Sequence, residues 1–203
     1  MRRKNFLIIT AMLTVAALFS LTRHGFAQQE PISKEPIGTK LAKSIHIQAQ
    51  AMGESTQMGQ TFGVNLIIEE FSTPEEQKAL IEAFNAKKNE GLVNALSKMK
   101  SKGRMAITGT LGYDVSYIRQ FDLPDGSVKI RLVTDRPIRF GEAWSDSRSM
   151  DYSLSGVELI IGPDEKKNSG TLAPLCQFKL DKENHLQLEL YQNPWKLVDV
   201  RRR

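Results

Sequence analysis

Cysteine is almost absent from this sequence, because Cys176 is the only one among 203 residues. A single thiol cannot form an internal disulfide, so a fold held together by disulfides is excluded and the hydrophobic core must supply the stability. Cys176 follows the apolar positions of the stretch L-x-P-x-C-x-F-x-L. It is therefore predicted to be a small buried core residue, since a nucleophile would need a nearby base and an electropositive setting.

Histidine and the common catalytic motifs are also scarce. Beyond residue 27 the only histidines are His46 and His185, and neither has another metal-type ligand at a useful spacing. The sequence contains no H-E-x-x-H, C-x-x-C, G-x-S-x-G or G-x-x-x-x-G-K-[ST] motif. We therefore predict no metal site, no cofactor and no catalytic residue, although an enzyme built from scattered carboxylates stays open.

The sequence has little net charge outside its N-terminal segment. Four of its 28 basic residues, Arg2, Arg3, Lys4 and Arg23, lie in the first 27 residues, which contain no acidic residue. Without that segment the formal net charge falls from +5 to +1. A strongly basic nucleic-acid-binding domain is not expected, and nucleic acid is not a predicted partner.

A secretory signal peptide is predicted for residues 1–27. A basic start at residues 2–4 precedes an apolar run over residues 6–21, and small side chains allow cleavage after Ala27. The run is shorter than the roughly 20 residues of a spanning helix, which leaves a retained anchor as the weaker alternative. Residues 28–38 are polar and are predicted to be a flexible leader. The protein is therefore expected to be exported, to the periplasm or outside the cell, and to meet the membrane only through its signal peptide.

Alternation of apolar and polar residues dominates the rest of the chain. From Leu41 to Ala51 the odd positions are apolar except for Lys43, and from Thr61 to Glu70 the even positions 62, 64, 66 and 68 are apolar. This pattern is typical of an antiparallel pair with one buried face. From Met105 to Tyr117 the same alternation predicts one long strand, which its two glycines would allow to bend. The alternation changes phase at Gly156, which predicts a β-bulge.

One helical interval interrupts the strands. Thr73 and Glu76 form the pattern of a capping box, with proline at the first helical position. Apolar residues then recur at helical spacing as far as Met99, with a break at Asn89-Glu90-Gly91. Residues 74–101 are therefore predicted to be one kinked helix or two short helices.

A basic outer surface is predicted for the same interval. It would be formed by Lys87, Lys88, Lys98, Lys100, Lys102 and Arg104. A solvated helix face explains these residues most simply. A surface that contacts anionic lipid or envelope polymer is the alternative.

These patterns together predict an α+β fold that is predominantly antiparallel β. We expect a barrel-like or sandwich sheet of about eight strands with one helical insertion over residues 74–101. Residues 39–203 are predicted to form a single domain. An outer-membrane β-barrel would show the same alternation, but the helical interval fits it poorly.

The densest polar stretch, Asp135 to Asp151, is predicted to be a long loop between strands. Six of its residues are candidates for ligand contacts: Arg136, Arg139, Glu142, Trp144, Asp146 and Arg148. Arginines next to aromatic rings can hold a carboxylate, a phosphate or a sugar. A salt-bridged loop without a ligand is the simpler interpretation.

Four segments of the sequence carry a resemblance. They are residues 95–104 (ALSKMKSKGR), 107–113 (ITGTLGY), 133–138 (VTDRPI) and 190–198 (LYQNPWKLV). In these segments the chain resembles a family of small exported bacterial proteins of unassigned function. The resemblance covers most of the chain after the signal peptide. It implies an exported, single-domain protein and supplies no active site, cofactor or fold.

Three functions follow as hypotheses. The first is non-catalytic binding of an apolar or amphiphilic small molecule, in the mouth or interior of the curved sheet and beneath the helical segment. The second is a structural or protein-interaction module whose partner is another envelope protein. The third is a hydrolase that acts through Glu142 or Asp146.

Overall fold

The computed structural model describes residues 40–138, 153–182, 185–190 and 194–203. In this part of the chain it confirms the predicted α+β fold, mainly antiparallel β with one helical insertion. The strands are β1 (Lys40–Met52), β2 (Thr61–Glu70), β3 (Gly103–Ile107), β4 (Tyr113–Val115), β5 (Tyr117–Asp122), β6 (Val128–Thr134), β7 (Leu154–Ile161), β8 (Ser169–Leu180), β9 (Leu186–Leu190) and β10 (Trp195–Arg202), and the helix α1 spans Pro74–Leu96. The predicted signal peptide and leader lie outside the described residues.

The strands form one barrel-like sheet that is nearly closed. Their order is β4-β3-β2-β1-β10-β8-β7-β6-β5, with β9 added to β8, and every pairing is antiparallel. The two ends of this order meet, because only Ser116 separates β4 from β5 in the chain. The Ser116 N–H donates to the Val133 oxygen of β6 at 3.2 Å. The sheet is therefore barrel-like, with ten described strands where the sequence predicted about eight.

Strands β1 and β2 match their prediction. The prediction of a single long strand over residues 105–117 is wrong. β1 pairs with β2 in register, with Ile47 opposite Leu66. After β3, residues 108–112 instead form the turn of a hairpin. Gly109 and Gly112 have φ values of +87° and +78° there, a conformation that L side chains disfavour. The two glycines therefore reverse the chain, although the alternation of side chains continues through them.

Two clusters of apolar side chains hold the fold together. The first is enclosed by the sheet and includes Ile47, Leu66, Leu132, Leu159 and Trp195. The second lies on the outer face of β5, β6 and β7, where α1 and the β8–β9 hairpin cover it, and includes Leu80, Leu92, Tyr117, Val133 and Phe178. Cys176 belongs to this second cluster and is fully buried, as predicted, and its burial raises the pKa of the thiol.

Helix α1 begins as predicted and is kinked. The Thr73 hydroxyl accepts the Glu76 N–H at 3.1 Å, and the Glu76 carboxylate accepts the Thr73 N–H at 2.8 Å, which completes the capping box. The non-helical residues are Lys87 and Lys88, which directly precede the break expected at Asn89-Glu90-Gly91. The bulge expected at Gly156 is confirmed, since the register between β7 and β8 shifts between Leu154 and Gly156.

Candidate functional site

One of the six predicted contact residues lies in the described part of the chain. Arg136 is exposed, and its Nε lies 2.9 Å from the Asp135 carboxylate. The hydrogen bond and the charge of Asp135 raise the pKa of the Arg136 guanidinium. The other five, Arg139, Glu142, Trp144, Asp146 and Arg148, lie outside the described residues. Arg136 therefore forms a surface ion pair with Asp135.

An open groove lies next to the kink of α1, and we call it the kink groove. Its lining residues are Lys87, Lys88, Asn89, Glu90, Val93, Ser153 and Gln177. Its volume is about 530 Å³. This volume falls within the range of about 300–1,000 Å³ that small-molecule sites occupy in proteins. In the sequence, Ser153 lies two positions after Asp151, the last residue of the predicted loop.

The kink is built by contacts between distant parts of the chain. Lys88 has φ +50° and ψ −138°, a conformation that normally requires glycine. The Asn89 side chain accepts the Phe178 N–H at 2.7 Å and donates to the Phe178 oxygen at 3.2 Å. Both backbone polar groups of this β8 residue are therefore bonded to Asn89. At Gly91 the helix approaches itself so closely that a Cβ would lie 2.0 Å from the Ala83 oxygen.

The kink groove is amphipathic and has a cationic rim. Lys87 and Lys88 are exposed, and Glu90 is the one carboxylate among the described lining residues. The Lys87 Nζ is 4.0 Å from Glu90, and the Lys88 Nζ stands 5.1 Å from the centre of the Phe84 ring. Both contacts are weak because they are exposed to solvent. The lysines can therefore turn toward an anionic group, while Val93 offers an apolar contact.

A pair of buried arginines lies on the outer face of the sheet. Arg119 and Arg131 are opposite each other on β5 and β6, and both stand over the Phe121 ring, at 5.1 and 5.3 Å. The Arg131 Nε lies 2.6 Å from the Glu158 carboxylate, and Nη1 donates to the Leu186 oxygen. Burial, together with the neighbouring Arg131, lowers the pKa of Arg119 to about 10. The sequence gives no sign of this pair, since outward positions of a strand are normally solvated.

One residue of the predicted basic outer surface is in fact buried. The Lys102 side chain is 5% exposed, and its Nζ contacts Glu70 and lies 2.9 Å from Glu76. Burial disfavours the ammonium, but the hydrogen bonds and charges of the two carboxylates outweigh burial and raise the pKa of Lys102. Lys102 therefore joins the start of α1 to β2. Lys87, Lys88, Lys98, Lys100 and Arg104 are exposed as expected.

The histidines occupy separate surfaces. His46 is exposed on β1, within 2.9 Å of the Ser44 hydroxyl, whereas His185 lies 3.7 Å from Asp181. Within the described ranges, no three His, Cys, Asp or Glu side chains are grouped so that they could hold a metal ion. No helix in the described part of the chain combines the length and apolar character needed to cross a membrane.

Comparison with known proteins gives no relative from which a function could be transferred. The chain matches no protein-family model, no curated protein and no solved structure.

Proposed function

We propose that the protein is a non-catalytic binding protein and that it holds an anionic amphiphile in the kink groove. The observation that carries the proposal is the conformation of Lys88, a non-glycine residue with φ +50° on the rim of a groove of about 530 Å³. Strained residues of this kind are concentrated at ligand and active sites. The charged end of the ligand would contact Lys87 and Lys88, and its chain would lie toward Val93.

The packing of the sheet favours this surface site over the interior of the barrel. Large side chains of the first cluster, such as Trp195, Leu66 and Leu159, are at most 1% exposed and fill much of the interior. The second cluster contains a void of only about 10 Å³. That volume is no more than a single water molecule needs. The amphiphilic ligand expected from the sequence therefore fits better outside the sheet, beside α1, than inside it.

Replacing Lys88 by glycine is expected to stabilise the protein and to weaken binding. Glycine adopts φ +50° without strain, so the free energy of unfolding should rise by about 1 kcal/mol. The loss of one cation should weaken the binding of decyl phosphate about tenfold. Lys88→Ala, which removes the charge and keeps the strain, should weaken binding without raising stability. Urea denaturation and isothermal titration calorimetry measure the two effects.

Three controls make this experiment specific. Lys78→Ala removes an exposed lysine of the same helix that does not line the groove, and it should leave affinity within about twofold. Inorganic phosphate tests the head group alone, and decyltrimethylammonium tests the apolar chain with the opposite charge. Equal binding of decyl phosphate to the wild type and to Lys88→Gly would contradict the proposal, as would tighter binding of the cationic amphiphile.

A protein-interaction module is the second candidate, and exposed apolar side chains favour it. Met58 is 79% exposed in the turn between β1 and β2, and Leu111 is 87% exposed in the turn between β3 and β4. Because β2 and β3 are antiparallel neighbours, with Val64 opposite Ile107, both turns lie at the same end of the sheet. This end would contact an apolar surface of another envelope protein.

Crosslinking tests the second candidate. A photoreactive amino acid in place of Leu111 should form one discrete protein adduct in the cells that produce the protein, and Met58→Ser should reduce that adduct several-fold. The same photoreactive residue in place of Gln187, an exposed residue of β9, is the control and should give no such adduct. Adducts that are equal at both positions would count against a specific partner at this end.

A further inference from the structure

A second groove, distinct from the kink groove, lies on the outer face of β1, β2 and β10. Its lining residues are Lys43, His46, Ile47, Gln48, Asn65, Leu66, Ile67 and Arg203, and its volume is about 470 Å³. We call it the basic groove. Ile47 and Leu66 belong to the core beneath it, so the side chains open to a ligand are the polar ones and Ile67.

The pairing of the strands arranges basic side chains in a row along this groove. The Arg203 N–H donates to the His46 oxygen at 2.8 Å, which places Arg203 beside His46 of β1. Arg201 is not itself a lining residue, but it pairs with Gln48, which is. Arg203 directly follows the last residue of β10 and continues its pairing with β1, two positions after Arg201. Both side chains therefore point to the outer face and lie about 7 Å apart along the strand direction.

The groove carries positive charge with little compensation. Its lining includes the cations Lys43 and Arg203, and none of the described lining residues has a carboxylate side chain. Arg201 lies 3.9 Å from Asp199, in a pair where both side chains are more than half exposed. Exposed ion pairs of this kind contribute little to stability, so Arg201 can leave Asp199 for another anion. The Arg203 Nε donates to the Gln48 side chain at 3.0 Å, a partner that carries no charge.

We propose that the basic groove binds a linear anionic polysaccharide. Guanidinium groups bind carboxylates and phosphates with two parallel hydrogen bonds, and a spacing of about 7 Å allows successive acidic sugars to be engaged. The Gln48 and Asn65 amides and the Ser44 hydroxyl stand among the cations and match sugar hydroxyls. This site is independent of the kink groove, so failure of one proposal leaves the other intact.

The same side chains argue against other anionic partners. The described lining contains no phenylalanine, tyrosine or tryptophan on which a nucleic-acid base could stack, and its one aromatic ring is the small imidazole of His46. Among the described lining residues there is also no exposed large apolar side chain that could enter a lipid bilayer, since Ile47 and Leu66 are buried and Ile67 is half-buried. The carboxylate of Glu69 does not line the groove, although Glu69 is exposed and is the next outward residue of β2 after Ile67.

The test compares two double variants that remove the same charge. Arg201→Gln with Arg203→Gln should weaken the binding of alginate oligosaccharides about tenfold or more, because two charge-assisted contacts are lost. Lys98→Gln with Lys100→Gln removes two exposed cations outside the groove and should change affinity less than about twofold. Isothermal titration at two salt concentrations measures the affinities, and wild-type binding should weaken as salt rises.

Several results would overturn the proposal. They are the absence of alginate binding by the wild-type protein, an equal loss in the two double variants, and tighter binding to anionic phospholipid vesicles or to single-stranded DNA than to alginate. Neutral dextran should not bind. Thermal unfolding of the variants separates a lost contact from a lost fold, and all four substituted residues are exposed.

Discussion

Replacing Gly91 by alanine is expected to lower the free energy of unfolding by about 3 kcal/mol, because the new methyl group has no space. Its Cβ would lie 2.0 Å from the oxygen and 2.8 Å from the carbonyl carbon of Ala83. These are backbone atoms on the other side of the kink, so the two halves of α1 would have to move apart. Urea denaturation followed by far-ultraviolet circular dichroism measures the loss.

A second glycine provides the matched control for this experiment. Gly109 has φ +87°, and nothing lies within 4 Å of the position that its Cβ would occupy. Gly109→Ala therefore introduces backbone strain without a collision and should destabilise the protein by only about 1 kcal/mol. Equal losses in the two variants would show that the contact between Gly91 and Ala83 does not stabilise the kink. Because Lys88 is positioned by that kink, Gly91→Ala should also weaken the binding of decyl phosphate.

The class of the fold could be predicted because its signals are local. A strand with one buried face repeats every two residues, so the β1–β2 pair is visible in the residues from Leu41 to Glu70. The capping box at Thr73 and Glu76 is also local, since both partners lie within four residues of each other. These signals fix the type of each element without information on its neighbours.

The kink groove could not be predicted, because distant contacts create it. Sequence patterns place a break near Gly91, but the non-helical residues are Lys87 and Lys88. What decides the position is the anchoring of Asn89 on Phe178, 89 residues away in the chain. The turn at residues 108–112 could not be predicted for a different reason. Gly109 and Gly112 reverse the chain there, but the alternation of apolar and polar residues continues through them.

The sequence also does not predict that α1 and the β8–β9 hairpin form a second layer over the outer face of the sheet. Period-two alternation separates the two faces of a strand, but it does not reveal whether the outer face meets water or another layer. Arg131 occupies an outward position on β6, and the β8–β9 hairpin buries it there through the Leu186 oxygen. The same limit applies to Lys102. Its sequence context predicts an exposed basic residue, but in the structure the start of α1 covers it.

Replacing Lys102 by methionine is expected to lower the free energy of unfolding by about 3 kcal/mol. Methionine has a similar length, so the main effect is the loss of the cation between Glu70 and Glu76. The two carboxylates, each about one quarter exposed, would then face each other without compensation. Lys100→Met, at an exposed site two residues away, should change stability by less than about 0.5 kcal/mol. Urea denaturation measures both variants.

Substitution of a second residue separates the charge effect from a loss of packing. Adding Glu70→Gln to the Lys102→Met variant removes one of the uncompensated carboxylates and should restore at least half of the lost stability. A double variant as unstable as Lys102→Met alone would show that the ammonium acts through packing rather than through its charge.

The advantage of Lys102 over methionine should also disappear at high pH. The pKa of Lys102 is higher in the folded protein than in the unfolded chain, where it takes its ordinary value near 10.5. The stabilising contribution is therefore complete below that value and is lost as the pH rises through the folded pKa. The wild type must be compared with Lys102→Met, because Arg119, whose pKa is lowered to about 10, titrates in the same pH range in both proteins. Its effect on stability therefore cancels in the difference. A difference in unfolding free energy that stays constant from pH 9 to about pH 12 would contradict an ionic role for Lys102.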